Sequence, residues 1–211
     1  QVLLQYNVDR LFAGYRKEAG LSPKDSIFSN WEGLDGHVGG HYLSAMAMNA
    51  AMGSKACKER MEHILEELET CQKANSKKYP DWGVGYVGAV PAGKDLWPKL
   101  KAGDMSVIWK YWVPWYNVHK TYSGLRDAWL YTGNEKAKTM FLAFCDWAIE
   151  LTAKLSDEQM GQMLASEHGG MNEIFADAYQ VTKEDKYINA AKRISHKEIS
   201  DPLSESIDNL D

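Results

Sequence analysis

Three histidines occupy comparable places in the sequence. His41, His119 and His168 each fall at or just before the start of an apolar, helix-like stretch. A neutral imidazole carries one donor and one acceptor, a pairing suited to sugar hydroxyls. If the stretches are equivalent helices, their N-terminal ends share one rim and the three rings converge on one mouth. For any single histidine the alternative is a local cap or core contact. His168 lies in the polar run Ser166 Glu167 His168 Gly169 Gly170 Met171 Asn172 Glu173. Glu167 and Glu173 could accept a hydroxyl or carry a proton, and glycosidic cleavage commonly uses two carboxylates. Glu173 in a helical first turn would equally complement the helix dipole.

His37 and His41 form an H-x-x-x-H pair, which on a helix could hold a metal. Val38 stands where a general-base glutamate would be needed, and Gly39 and Gly40 argue against a regular helix. The glycines instead suit close backbone approach at a turn, and no metal site is assigned. The chain is rich in aromatics, with eight Trp and eleven Tyr. Trp82, Trp97, Trp109, Trp112 and Trp115 fall in one stretch with Tyr79, Tyr86, Tyr111 and Tyr116. Flat faces with polar handles suit a carbohydrate cleft. The plainer alternative is that Trp109, Trp112 and Tyr116, at helical spacing, pack against neighbouring helices. There is no G-x-S-x-G elbow or P-loop, and Gly83, Gly85 and Gly88 imitate a dinucleotide fingerprint without a strand-turn-helix context.

Helical spacing dominates the elements that must position these residues. Leu3, Leu4, Val8, Leu11, Phe12 and Tyr15 form one stripe that stops at Gly20. Three helical hairpins then share one grammar, a small-residue apolar helix followed by a more charged amphipathic one. The first runs from His41 to Met52, turns at Gly53 Ser54 with Ser54 as N-cap, and continues from Lys55 to Gln72. The second runs from Asn117 to Tyr131 and from Glu135 to Leu155, the third from Gly170 to Val181 and from Lys183 to Ile194. Asp127 Ala128 falls on Asp177 Ala178, and Thr132 on Thr182, so the hairpins repeat. Ser156 and Gln159 form a capping-box pattern for a connecting helix. The 75–116 connection reads as a long, aromatic-rich, ordered loop.

One hairpin cannot bury its own inner helix, so the repeat predicts an all-α fold of hairpins forming about half of an (α/α)6 toroid. The expectation is one partial barrel domain, 1–211, truncated at both ends. Its open edge would be covered by the remainder of the same polypeptide or by another copy in a homo-oligomer. The composition, 45% hydrophobic and 25% charged, is that of a globular domain. A formal charge of -5 offers no field for nucleic acid or an anionic membrane. No apolar run approaches the ~18 to 20 residues of a membrane span. Cys57, Cys71 and Cys145 are widely spaced and read as buried thiols.

A set of ordered motifs covers nearly the whole chain. They are Trp31 Glu32, Leu34 Asp35 Gly36 His37, Gly40 His41 Tyr42 Leu43 Ser44 Ala45, Gly85 Tyr86 Val87 Gly88 with Val90 Pro91, Trp112 Val113 Pro114 Trp115 Tyr116 with His119 Lys120, and Glu167 to Glu173. Together they resemble the beta-L-arabinofuranosidase-type glycoside hydrolases, families 127 and 146, long catalogued as a domain of unknown function. The resemblance implies an (α/α)6 barrel followed by β-rich domains, cleaving terminal arabinofuranose from plant or glycoprotein glycans with retention. It also implies a nucleophile similar to a zinc-bound cysteine thiolate and a glutamate acid/base. Those residues belong to the second half of the family's barrel. The three cysteines here do not match them, so no catalytic residue carries over, and zinc is expected only in the full-length protein. His168 carries over as a sugar-contacting histidine, then His119 with Trp115 and Tyr116, then His37 and His41. Glu167 joins this substrate-binding set. The implied role is the sugar-binding wall of a hydrolase, in a bacterial periplasm or outside the cell. The competing expectation is a non-catalytic helical binding or scaffold module.

Overall fold

Local caps set most helix boundaries. Ser54 accepts a hydrogen bond from the Cys57 N–H and Asn134 accepts one from the Ala137 N–H. Ser156 and Gln159 complete a reciprocal capping box. The structure is a computed structural model describing residues 2–28, 35–167 and 170–208. A 3-10 turn at Val2–Gln5 precedes α1 (Val8–Leu11), α2 (Ala13–Glu18), α3 (His37–Ala51), α4 (Lys55–Lys78), α5 (Gly93–Lys101) and α6 (Ser106–Lys110). Then follow α7 (Pro114–Thr132), α8 (Glu135–Thr152), α9 (Asp157–Ser166), α10 (Met171–Thr182), α11 (Asp185–Arg193) and α12 (Lys197–Ser204). There is no strand among the described residues, and no described helix is long and apolar enough to cross a membrane.

The three hairpins are α3–α4, α7–α8 and α10–α11. They stand side by side, α7 touching both α3 and α10 in an inner layer, and α4 meeting α8 in an outer one. This is an all-α arc, about half of an (α/α)6 toroid. The inner helices are buried on more than one face, as α7 shows with Trp115, Val118, Tyr122, Leu125 and Ala128. The Cys57, Cys71 and Cys145 thiols are free and buried in the outer helices α4 and α8.

Four sequence expectations need correction. The leading stripe is not one helix, because Asn7 caps α1 and Phe12 separates α1 from α2. The 75–116 connection is not a loop throughout: α4 runs on to Lys78, and α5 and α6 follow. Most of its aromatics form core and not a cleft. Trp82, Tyr86 and Trp97 are buried, and Trp97 packs edge-on to Trp115 at 5.4 Å and to Trp147 at 5.0 Å. The Trp147 indole N–H donates to the Trp82 carbonyl at 2.7 Å. Rings of this size fill the space under three helices and dominate local burial.

Gly39 and Gly40 also lie inside a helix, the first turn of α3, and not in a turn. A Cβ at Gly40 would sit 2.1 Å from the carbonyl carbon and oxygen of Lys120 on α7. A Cβ at Gly124 would sit 2.7 Å from the Gly40 carbonyl. The two inner helices therefore meet backbone to backbone, a contact whose benefit outweighs the modest helix cost of glycine.

Candidate functional site

That contact brings the N-terminal turns of α3 and α7 together. His37 lies 6.2 Å from His41 and 6.3 Å from Tyr116, centroid to centroid. Lys120 sits one residue after His119 and points its ammonium at both neighbours. Nζ is 3.2 Å from His119 Nδ1 and 4.3 Å from the centre of the Tyr116 ring. The third inner helix closes the group from the other side. Gly170, the left-handed residue before α10, is so close to His119 that a Cβ there would lie 2.9 Å from Nε2. His37, His41, Tyr116, His119 and Lys120 thus occupy one rim.

The electrostatics of this rim favour a neutral imidazole at His41 and at His119. Burial, then the Lys120 charge, hold His119 down to about 4. Burial lowers His41 as well, with Lys120 and His37 adding to it. Burial also lowers Lys120 itself. Neutral rings keep one donor and one acceptor each, which is what a hydroxyl-rich ligand needs.

Glu167 and Trp115 take positions different from the expected wall. Glu167 is buried, and its carboxylate accepts the backbone N–H of Trp115, at 3.0 Å, and that of Tyr116. It therefore caps the first turn of α7, whose Pro114 needs no partner at N1. Burial pushes this carboxyl up to about 7, against the two N–H donors that pull it down. Trp115 is 1% exposed with its ring in the indole core, so it reaches the rim through its backbone only. Its neighbour Tyr116 is 37% exposed. Trp109 and Trp112 are the indoles of the stretch that remain open to solvent. Glu173 is exposed and pairs with Arg126 of α7, which also binds Asp177 and Asp127. His168 and Gly169 lie outside the described residues, as do the motif residues Trp31, Glu32 and Leu34.

Sequence reasoning placed Lys120 beside His119 in a motif and gave it no role of its own. It also missed the cap from Glu167 to α7, which bridges 52 residues of chain.

The described motif residues His37, His41, Tyr116, His119 and Lys120 share this rim, and the family comparison agrees with the resemblance. The model described as "Beta-L-arabinofuranosidase, GH127 catalytic domain" matches residues 1–211. The chain belongs to this family of glycoside hydrolases. No curated protein matches it significantly. Among the described residues no three His, Cys, Asp or Glu side chains gather as ligands for the zinc that the resemblance implies. Burial pushes the Cys71 thiol up to about 12 and Cys145 well above its ordinary value, as befits thiols packed in the core.

Proposed function

We propose that this chain forms the sugar-binding wall of a beta-L-arabinofuranosidase, at the rim where α3, α7 and α10 begin. The observation that carries this reading is the gathering of His37, His41, Tyr116 and His119 around Lys120, on helices held in backbone contact. Neutral imidazoles on His41 and His119 hydrogen-bond the hydroxyls of an arabinofuranose unit. The exposed face of Tyr116 lies along its C–H groups. By family resemblance His168 joins this wall, next in sequence to the capping Glu167. Glu167 orients Tyr116 and does not itself touch sugar. The chain binds and orients; no bond-breaking step is assigned to its residues.

Calorimetric titration of this chain with methyl β-L-arabinofuranoside tests the reading. His41→Ala and His119→Ala should each weaken binding about tenfold, equivalent to one lost hydrogen bond of roughly 1.4 kcal/mol. Trp109→Ala, on the solvent face of α6, should leave it unchanged. The chain alone should show no hydrolysis. Absence of sugar binding would favour the scaffold alternative, and turnover by this chain would overturn the division of labour.

A further inference from the structure

We infer that Lys120 is a positioning residue that holds His119 as a neutral imidazole protonated on Nε2, so that this ring offers the ligand a donor and not an acceptor. The inference rests on the sugar-wall reading and specifies what one member of the wall can recognise.

Lys120 Nζ lies 3.2 Å from His119 Nδ1. An ammonium has three donors and no acceptor, so Nδ1 must accept, and the ring proton of a neutral imidazole then sits on Nε2. Lys120 is well placed to keep this role. Its ammonium lies over the Tyr116 ring, and Glu173, the carboxylate whose charge acts on it, is hydrogen-bonded to Arg126. A cation this close also opposes a second proton on the ring. Burial acts in the same direction, while Glu173 across the α7–α10 contact opposes it, and Arg126 and His41 reinforce Lys120.

The other end of the ring is unfinished. His119 Nε2 is buried and has no hydrogen-bond partner among the described residues. It faces Gly170, where φ is +74° and a Cβ would come within 2.9 Å. Glycine there lets the start of α10 approach a lone, buried N–H closely. A buried donor without an acceptor is rare and is usually satisfied by a ligand or water. The ligand class is accordingly one presenting an acceptor oxygen at this point, a sugar hydroxyl or ether oxygen, in preference to a group that can only donate.

The experiment is long-range nitrogen–proton NMR on histidine-labelled protein, with His119→Asn assigning the ring. In the wild type, Nδ1 should resonate as an unprotonated, hydrogen-bonded nitrogen and Nε2 as a protonated one. Lys120→Met keeps the apolar stem and removes the donor. It should give mixed tautomers, raise the ring's titration midpoint, and weaken methyl β-L-arabinofuranoside binding by several fold. Lys120→Arg restores a donor and should restore the single tautomer, which a purely structural role for Lys120 would not require. A wild-type ring protonated on Nδ1, or one unchanged in Lys120→Met, would overturn the inference. Sugar added to the wild type gives the second arm. If the tautomer is fixed as described yet no imidazole resonance moves, the lock stands and the sugar-wall reading fails.

Discussion

Helix α7 meets its two inner-layer neighbours by opposite means. Toward α3 the contact is backbone on backbone, with Gly40 against the Lys120 carbonyl and Gly124 against the Gly40 carbonyl. Tyr15 bolts it from behind, donating to the Gly36 carbonyl at 2.7 Å and sharing a hydrogen bond with Thr121 at 2.7 Å. Toward α10 the contact depends on charge. The Arg126 guanidinium reaches Glu173 at 2.6 Å and Asp177 at 2.7 Å, with Asp127 beside it at 3.2 Å. Close-packed backbone has one geometry and no slack, whereas an ion-pair network yields to salt and to single substitutions. The rim thus has a fixed half, which sets the spacing of His37, His41 and Tyr116, and an adjustable half, which brings Gly170 to His119.

The fixed half should break first and hardest. Gly40→Val places a branched side chain where 2.1 Å is available against main-chain atoms that cannot rotate away. We expect a loss of about 3 kcal/mol or more in urea unfolding, at the upper end of overpacking costs. A loss below about 1 kcal/mol would mean that α3 and α7 can part, and the rim would not be fixed there.

Next in size is a pair of proton-linked effects at the two ends of the rim. Glu167 is raised from 4.5 to about 7, so between those values the folded chain holds a proton that the unfolded chain has lost. Its contribution therefore makes stability fall as pH rises through that window, by about 3 kcal/mol in total. His119 is lowered from 6.5 to about 4, so there the unfolded chain holds the extra proton. Its contribution makes stability rise with pH from 4 to 6.5, by about 1 kcal/mol after solvent screening of a partly exposed ring. In the wild type the two slopes oppose each other. Glu167→Gln should leave stability rising with pH, and His119→Asn should steepen its fall between pH 4.5 and 7. Denaturation midpoints across pH check both; parallel curves for all three proteins would remove Glu167 and His119 as the linked groups.

What could be read in the sequence follows the same divide between local and distant causes. The hairpins were legible because their caps act within three residues, as Ser54, Asn134 and the Ser156–Gln159 pair do. The start of α7 at Pro114 and not at Asn117 was not, because the acceptor for its first N–H groups is Glu167, far along the chain. Nor could spacing assign Trp115 to the core and Tyr116 to the rim. Consecutive helix residues point roughly 100° apart, and which direction is inside depends on α5 and α8. Gly39 and Gly40 argued against a helix on propensity, and tertiary contact with α7 and with the rings of Phe12 and Tyr15 overrode it. Histidines near the expected helix starts could be read from the sequence, His168 lying outside the described residues, whereas the place of Lys120 between His119 and Tyr116 could not.

A smaller effect than that of Gly40→Val belongs to the adjustable half. Arg126→Met keeps the stem but removes every charged hydrogen bond between α7 and α10 that the guanidinium makes. Asp127, whose side chain is 7% exposed, then loses its ion-pair partner, while Asp177 and Glu173 can turn to water. The cost is that of a buried carboxylate left unpaired on one side only, about 2 kcal/mol. Salt separates this contact from the other. At about 1 M salt the screening length falls to ~3 Å, so the wild type should lose part of the advantage it holds over Arg126→Met. The deficit of Gly40→Val should not change, because overlap of uncharged backbone is not screened. If salt alters both deficits equally, the two sides of α7 are held by one kind of force, and α10 is as firmly seated against His119 as α3 is against Lys120.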